Sequence, residues 1–445
     1  MRMNIGLIHF RVGDIDGVSL EMEKWLDVLK RMHFKAYLIA GETGSAVGFK
    51  IPSIAYLDKR NNIIKQKSFV SLGDWTEERL INEINKQISI IYNELEQMID
   101  LDILIVNNIF SLAHNPAAAV AIYRYCKYNG IEMIGVHHDF YWERDFYMHP
   151  TSKYIEKILE LYFPPMDITH IVINSFAQEK LRMKKGIESY VVPNVFDFNQ
   201  PPWQLDDYNI KLYDKLNISK NDIIFLQATR LVKRKAVELA IDTISIVQNK
   251  LKDYLGNITY NGKKITKDTK IVLLLPGLPE EADYVESITK YAKEKNVNLK
   301  PAFSISNDIR HEEQEIFSLW DFYAIADFIA YPSVIEGFGN QLLEAIFSKK
   351  PIMMFEYPVY KKDIAPFGFD IVSLGSSFKQ DNGFFKLSQD ELNRAAEQVL
   401  NILFDFKKAS SMVRKNFELG KKYFSYNTLE KKLKKIFIDE GLISK

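Results

Sequence analysis

The chain has 445 residues, enough for two domains and more than one core usually holds. Apolar residues make up 47% and charged residues 26%, and Lys plus Arg equals Asp plus Glu at 58 each. That is the composition of a soluble globular protein, and the zero balance speaks against a nucleic-acid-binding surface as its main business.

The single cysteine, Cys126, excludes an internal disulfide framework and a Cys-based zinc site, and it fits a reducing compartment. No run of 18 apolar residues is present, so no membrane-spanning helix is expected. The opening MRMNIGLIHF is too short an apolar stretch for a signal peptide. The expected location is the cytoplasm.

In chain order, NIGLIHF (4–10) reads as a buried strand. A loop with Gly13, Asp14, Asp16 and Gly17 follows, then a helical pattern for which Ser19 is a candidate N-cap. KAYLIAG, LDILIVNN (101–108), EMIGVHH (132–138) and THIVINS (169–175) are further apolar runs beside helical patterns. Such alternation predicts a parallel sheet covered on both faces. ESYVVPNVFD (188–197) closes this half.

The segment DFNQPPWQLDDYN, with two prolines and little periodicity, reads as a linker. The alternation then restarts with NDIIFLQAT (221–229), KIVLLLPG (270–277), ADFIAYPS (326–333) and KPIMMFEYP (350–358). The expected division is 1–200, a linker over 201–219, a second α/β domain over 220–425, and a tail helix over 426–445 returning to the first domain. Ligands of open α/β sheets bind at the carboxyl ends of the strands, so the loops there carry the argument.

YPSVIEGFGNQLLEA places Glu336, Gly337 and Gly339 in a turn and Glu344 in the following helix, about two turns below Glu336. Glycines admit a ligand close to the backbone, and helix N-terminal amides suit a phosphate. Both carboxylates could accept bonds from sugar or ribose hydroxyls. The alternative is an ordinary strand–turn–helix. In QATRLVKRK, Arg230 at a strand end and Lys235 five residues on could grip a diphosphate; the alternative is a solvated basic turn. VHHDFYWERDFY sets His137, His138, Asp139, Glu143 and Arg144 after a strand. Adjacent histidines on a strand face opposite ways, so one His on a sugar hydroxyl is favoured over a metal site. Gly277 lies at another strand end. The basic segments KLRMKKG and KKLKKIF read as exposed helix faces, with peripheral contact to anionic lipid left open.

Together these stretches resemble the retaining glycosyltransferases of family 4, the glycosyl transferases group 1, over most of the chain. YPSVIEGFGNQLLEA is similar to that family's hallmark of two glutamates with an EGFG turn between them. ATRLVKRK resembles its strand-end Arg and later Lys, VVPNVFD its Pro-Asn turn, and VHHDF its His-Asp loop. The sequence departs from the pattern at DIDGVS, where paired glycines are usual, at Ala236, where a glycine commonly follows the Lys, and at Val195.

The resemblance implies a GT-B fold: two Rossmann-like, doubly wound parallel-sheet domains facing a central cleft. It implies that Arg230 and Lys235 bind the donor diphosphate and that Glu344 holds the ribose. Glu336, with Gly337, Phe338, Gly339 and Asn340, would hold the transferred sugar, and His138 would lie near the sugar's 6-hydroxyl and the reacting centre. Gly17 and Gly277 would approach the donor. Asp16, Asp139 and Arg144 are the acceptor-side candidates.

The implied activity is transfer of a glucose or mannose from a nucleoside-diphosphate sugar to an acceptor hydroxyl, with retention. No cofactor and no essential protein-bound metal are expected. The expected acceptor is a small soluble sugar, sugar phosphate or glycerate-type molecule. Alternatives are a GT-B disaccharide phosphorylase, a transferase using a lipid-linked or glycan acceptor, and a silent sugar-nucleotide-binding subunit. A dehydrogenase is disfavoured because no GxGxxG follows a predicted strand. Donor base and oligomeric state stay open.

Overall fold

The computed structural model describes residues 3–13 and 17–444. The chain divides into two units: Met1–Val195 with Tyr426–Lys445, and Phe196–Ser425.

The first unit is built on strands β1 (Asn4–Arg11), β2 (Lys35–Glu42), β3 (Gly48–Lys50), β4 (Ile103–Asn107), β5 (Glu132–His137), β6 (Thr169–Val172) and β7 (Tyr190–Val191). They form one sheet in the order β3-β2-β1-β4-β5-β6-β7, and every pairing is parallel. Two apolar layers cover its faces. One joins Ile8, Val106 and Phe110 to Leu80, Ile84, Ile91 and Ala117–Ala121; the other joins Leu7, Ile105 and Val136 to Trp25, Val28 and Leu29. Burial on both faces explains why ILIVN has no polar alternation.

The tail helix Tyr426–Asp439 belongs to this unit. Leu429, Leu433, Ile436 and Phe437 are buried in the second layer, while Lys431, Lys434 and Lys435 are exposed. The apolar side of KKLKKIF is therefore spent on the core. Ser19 is not an N-cap: the helix already begins at Gly17, and the Ser19 hydroxyl donates to the Arg11 carbonyl at 3.3 Å.

The second unit carries β8 (Ile223–Leu226), β9 (Ile271–Leu275), β10 (Asn298–Pro301), the short pair β11 (Ser306–Asn307) and β12 (Phe317–Ser318), then β13 (Phe328–Tyr331), β14 (Ile352–Met354) and β15 (Val372–Ser373). Its main sheet has the order β10-β9-β8-β13-β14-β15, again all parallel. A hairpin, β16 (Lys379–Asp381) and β17 (Phe384–Lys386), stands apart.

Residues 201–219 fall inside this unit and are packed. Trp203 stacks on Trp320 with centroids 4.3 Å apart, and Asn209 and Asp206 join Arg310 and Asp321 in one hydrogen-bonded group. The prolines break periodicity, but the aromatics tie the segment down.

Both sheets reverse their strand order at the first strand. The reversal falls between β1 and β4 in one and between β8 and β13 in the other. At such a switch point the loops leaving the two neighbouring strands diverge and open a crevice.

Candidate functional site

In the second unit the two loops at the switch point are the ones that leave β8 and β13. After β8 the chain runs through Gln227–Arg230 into a single 3-10 turn, Lys233–Lys235, and then the helix Val237–Leu251. The turn ends on Ala236 with φ 49° and ψ 47°, a left-handed conformation that costs a residue with a Cβ about 1–2 kcal/mol. This is the place where the resembled family usually has glycine. Gln227 Nε2 donates to the Lys235 carbonyl at 3.1 Å and fixes the turn to the strand end.

After β13 the chain turns through Ser333–Gly339 into the helix Asn340–Phe347. The Val334 amide donates to the Arg234 carbonyl at 3.0 Å, so the two loops are joined through their backbones.

The side chains complete the join. Lys235 Nζ bonds Glu336 Oε1, and Arg234 Nη1 reaches Glu336 Oε2 at 3.1 Å and the Ile335 carbonyl at 2.9 Å. The side chains of Lys235 and Glu336 are only 9% and 8% exposed. Burial pushes the Glu336 pKa up, but Lys235 and Arg234 outweigh it and hold the carboxyl below its ordinary range. Glu336 is thus an anion that accepts hydrogen bonds and has no proton to donate. Burial lowers the Lys235 pKa, and Glu336 opposes that.

The phenols of Tyr331 and Tyr357 flank this group. Tyr357 Oη donates to the Phe338 carbonyl at 2.5 Å, and a Cβ on Gly339 would lie 2.3 Å from Tyr357 Oη and 2.5 Å from Tyr331 Oη. Gly339 also has φ 109°, outside the range of ordinary side-chain-bearing residues. Position 339, at the start of the helix, therefore has no space for a side chain.

The remaining predicted residues distribute as follows. Arg230 is half-exposed, with Nη1 2.5 Å from Glu280 Oε1, and lies within electrostatic reach of Lys235. Glu344, on the next helical turn after Asn340, accepts from the fully buried Tyr323 phenol at 2.7 Å. Phe338 is buried against Phe424, and Gly337 is exposed. Gly277 presses on the β8 loop: a Cβ there would sit 1.8 Å from the Thr229 carbonyl oxygen. Arg234 was not singled out from its basic neighbours in the sequence, yet it is the second cation on Glu336. The Tyr331–Tyr357 pair was also missed; Tyr331 lies immediately before the motif.

In the first unit, Gly17 starts the helix Gly17–Arg31 beside β1, and Asp16 lies outside the described residues. His138 follows β5, half-buried, and its amide donates to Asn108 Oδ1 at 2.8 Å. Asp139 is bonded to Arg144. His137 faces the other way, fully buried, with Nε2 3.0 Å from His170 Nδ1. Among the described residues no group of three or more His, Cys, Asp or Glu is arranged to hold a metal ion, and no helix is long and apolar enough to cross a membrane.

The buried histidines set a pH response. Burial lowers the pKa of His170 from 6.5 to about 4, that of His114 to about 3, and that of His137 well below 6.5. The unfolded chain therefore binds more protons over this window. The contribution to stability is complete above pH 6.5 and is lost as pH falls through it, at about 1.4 kcal/mol per pH unit for each imidazole. Thermal melts between about pH 7 and pH 4.5 should show Tm falling, and His170→Gln should flatten that slope. A flat profile in the wild type would contradict the neutral assignment.

A family model described as Glycosyl transferases group 1 matches residues 210–402. The chain is 65% identical over 422 residues to the mannosylglucosylglycerate synthase of Petrotoga mobilis, covering 95% of this chain and 98% of that one. A protein of the same name from Thermotoga maritima is 36% identical over 434 residues, covering 96% and 98%. Among solved structures, sucrose-phosphate synthase from Thermosynechococcus elongatus matches with a TM-score of 0.61 at 13% identity, over 99% and 100% of the two chains. The catalytic domain of starch synthase IV from Arabidopsis thaliana matches at 0.59 and 11%, over 98% and 99%. At those identities the structures speak for the fold alone, which is GT-B, and the sequence matches speak for the family. With paired switch-point loops of the kind described above, the chain belongs to the group 1 glycosyl transferases and is a glycosyltransferase of the GT-B fold.

Proposed function

We propose that this enzyme transfers a mannosyl group from a nucleoside-diphosphate mannose to a hydroxyl of glucosylglycerate, with retention at the anomeric carbon and without an essential metal. The observation that carries this reading is the 65% identity, across 95% of the chain, to a protein whose name denotes a mannose–glucose–glycerate product. A group 1 transferase makes such a product most directly by adding one sugar to a ready-made glycoside of glycerate.

The proposed chemistry uses the second unit's loops for the donor. Lys235 and Arg230 neutralise the charge that grows on the diphosphate as its bond to the anomeric carbon breaks. Glu336 is ionised and accepts bonds from the sugar hydroxyls, and the amides that follow Gly337 are assigned to the same sugar. Glu344 accepts from the ribose. The acceptor oxygen attacks on the face the diphosphate leaves, and the departing phosphate oxygen takes the acceptor's proton. No carboxylate nucleophile is needed in this route, and the two cations supply the electrostatic work that a divalent ion does in other transferases. His138 is assigned to a sugar hydroxyl near the reacting centre.

The test is incubation of the purified protein with glucosylglycerate and the GDP, UDP and ADP conjugates of mannose and glucose, with and without EDTA. Formation of mannosylglucosylglycerate from one mannose donor, insensitive to EDTA, is the expected result, and NMR of the new linkage should show the donor's anomeric configuration. Transfer from none of the donors would overturn the reading. Product formed only after added magnesium would overturn its metal-free part.

A further inference from the structure

We propose that the cavity beside the edge strand β15 of the second unit is a separate binding site for an uncharged sugar, held by Tyr360, Glu356, Gln398 and Asn401. This goes beyond the transferase reading and does not rest on it: none of the lining residues belongs to the loops that leave β8 and β13.

The cavity holds about 740 Å³. Small-molecule sites occupy about 300–1,000 Å³. β15 ends the main sheet and pairs with β14 on one side only. The helices Gln389–Leu403 and Phe406–Tyr423 and a single π-helical turn, Tyr360–Ile364, line the space beside it. Isolated π turns are rare and concentrate at functional sites. The strand side of the cavity is fixed in place. The Asp370 amide donates to Asn416 Oδ1 at 2.8 Å, and Asn416 Nδ2 returns to the Asp370 carbonyl at 2.7 Å.

Tyr360 is the residue that asks for a ligand. It is 2% exposed and lines the cavity, and its phenol makes no hydrogen bond among the described residues. Burial raises its pKa, and the charges of Glu356 and Asp370 raise it further, so the phenol keeps its proton. A buried donor without a partner costs about 1–3 kcal/mol. Glu356 supplies the opposite need. Its amide donates to the Gly375 carbonyl at 2.9 Å and its Oε1 accepts from the Ser373 hydroxyl, while its Oε2 has no hydrogen-bond partner among the described residues. Gln398 and Asn401, three residues apart on one helix face, line the cavity with side-chain amides that are also unbonded among the described residues.

Charge and hydrogen bonding together fix the class of ligand. Asp370 is bonded to Lys415 at 2.6 Å, and Lys408 faces Asp405 at 3.8 Å. Glu356 is then the lining charge with no ion pair among the described residues. A surplus carboxylate repels an anion. An ammonium would satisfy Glu356 but has no lone pair to accept the Tyr360 proton. A hydroxyl does both, donating to Glu356 and accepting from Tyr360. Phe369, Ile371, Ile402 and Met412 add an apolar wall, in which Phe369 packs on Phe424 with centroids 6.0 Å apart. An apolar C–H face edged by hydroxyls is the surface that a hexose presents.

The experiment measures binding to the full-length protein by calorimetry and saturation-transfer NMR. The probes are methyl α-glucoside and trehalose, with gluconate and glucosamine as anionic and cationic counterparts. Both neutral sugars should bind saturably, and gluconate should not bind. The double variant Gln398→Ala, Asn401→Ala alters only exposed side chains, so it keeps the fold. It should weaken trehalose binding about tenfold, as should Tyr360→Phe, the worth of one or two neutral hydrogen bonds. Affinity for GDP and UDP should stay at the wild-type value in the double variant. Absence of saturable binding by either neutral sugar overturns the inference, and so does trehalose affinity that the double variant leaves unchanged. Glucosamine binding tighter than methyl α-glucoside overturns the uncharged class in favour of an amine. Nucleotide affinity that falls together with trehalose affinity overturns the separateness of the site. None of these readouts uses turnover, so failure here and failure of the transferase reading are distinguishable.

Discussion

Lys235→Met is expected to lower kcat/KM for the donor about 10²- to 10³-fold, the usual loss when one fixed charge on a developing anion is removed. Its partner behaves differently. Glu336→Ala should abolish measurable turnover and also destabilise the protein, because it strands the buried Lys235 beside Arg234 with no carboxylate between them. Breaking a buried pair from one side costs about 3–5 kcal/mol. Lys235→Met leaves Glu336 still bonded to Arg234 at 3.1 Å, so its stability loss should be clearly smaller. The double variant Lys235→Met, Glu336→Gln removes both charges in one place. It should recover most of the Tm lost in Glu336→Ala and recover none of the activity. Melting curves and donor titration calorimetry on the four proteins check this. If Glu336→Ala keeps wild-type turnover, the sugar-binding role of Glu336 is wrong; if the double variant is as unstable as Glu336→Ala, the stranded charge is not the cause.

The parts that were legible in the sequence share one property: they lie where local pattern and tertiary position coincide. ILIVN and IVLLL are buried on both faces, so their runs announce central parallel strands. NLKP of β10 and GFK of β3 are edge strands, half-exposed and without an apolar run, and nothing local marks them. Arg230, Lys235 and Glu336 could be picked out because strand ends are where site residues sit. Which cation meets Glu336 could not be read off, because the 3-10 turn at Lys233–Lys235 rotates each successive side chain by roughly a third of a turn. Arg234 and Lys235 both end on Glu336, while Arg230, ahead of the turn, is bonded to Glu280. Trp203 and Tyr208 were the available signal that a proline-rich segment is packed rather than free.

Gly277→Ala should weaken nucleotide-diphosphate binding and lower Tm although residue 277 has no side chain to lose. Gly277 follows β9 by two residues, and Leu274 accepts from the Gln227 amide at 3.0 Å, so the exits of β8 and β9 run side by side. The Leu231 amide donates to the Leu278 carbonyl at 2.8 Å and seals the contact one step further on. Between these two bonds an added Cβ would lie 1.8 Å from the Thr229 carbonyl oxygen and 3.1 Å from the Arg230 nitrogen. The nearest atom belongs to backbone, so no rotamer change relieves the clash, and the Thr229–Arg230 peptide must move. Overpacking of this kind costs about 1–3 kcal/mol. The movement is delivered to the loop that carries Arg230 and Lys235, so the same substitution should weaken the affinity for GDP or UDP about tenfold or more, as misplaced binding groups do. Gly130→Ala is the control. Unlike Gly277 it has a positive φ, and its Cβ would meet nothing within 4 Å, so it should cost stability through backbone strain and leave nucleotide affinity alone. Equal nucleotide affinity in Gly277→Ala and the wild type would mean that the β8 loop is not where the diphosphate binds. Loss in Gly277→Ala alone would place binding on that loop by a route independent of any charged side chain.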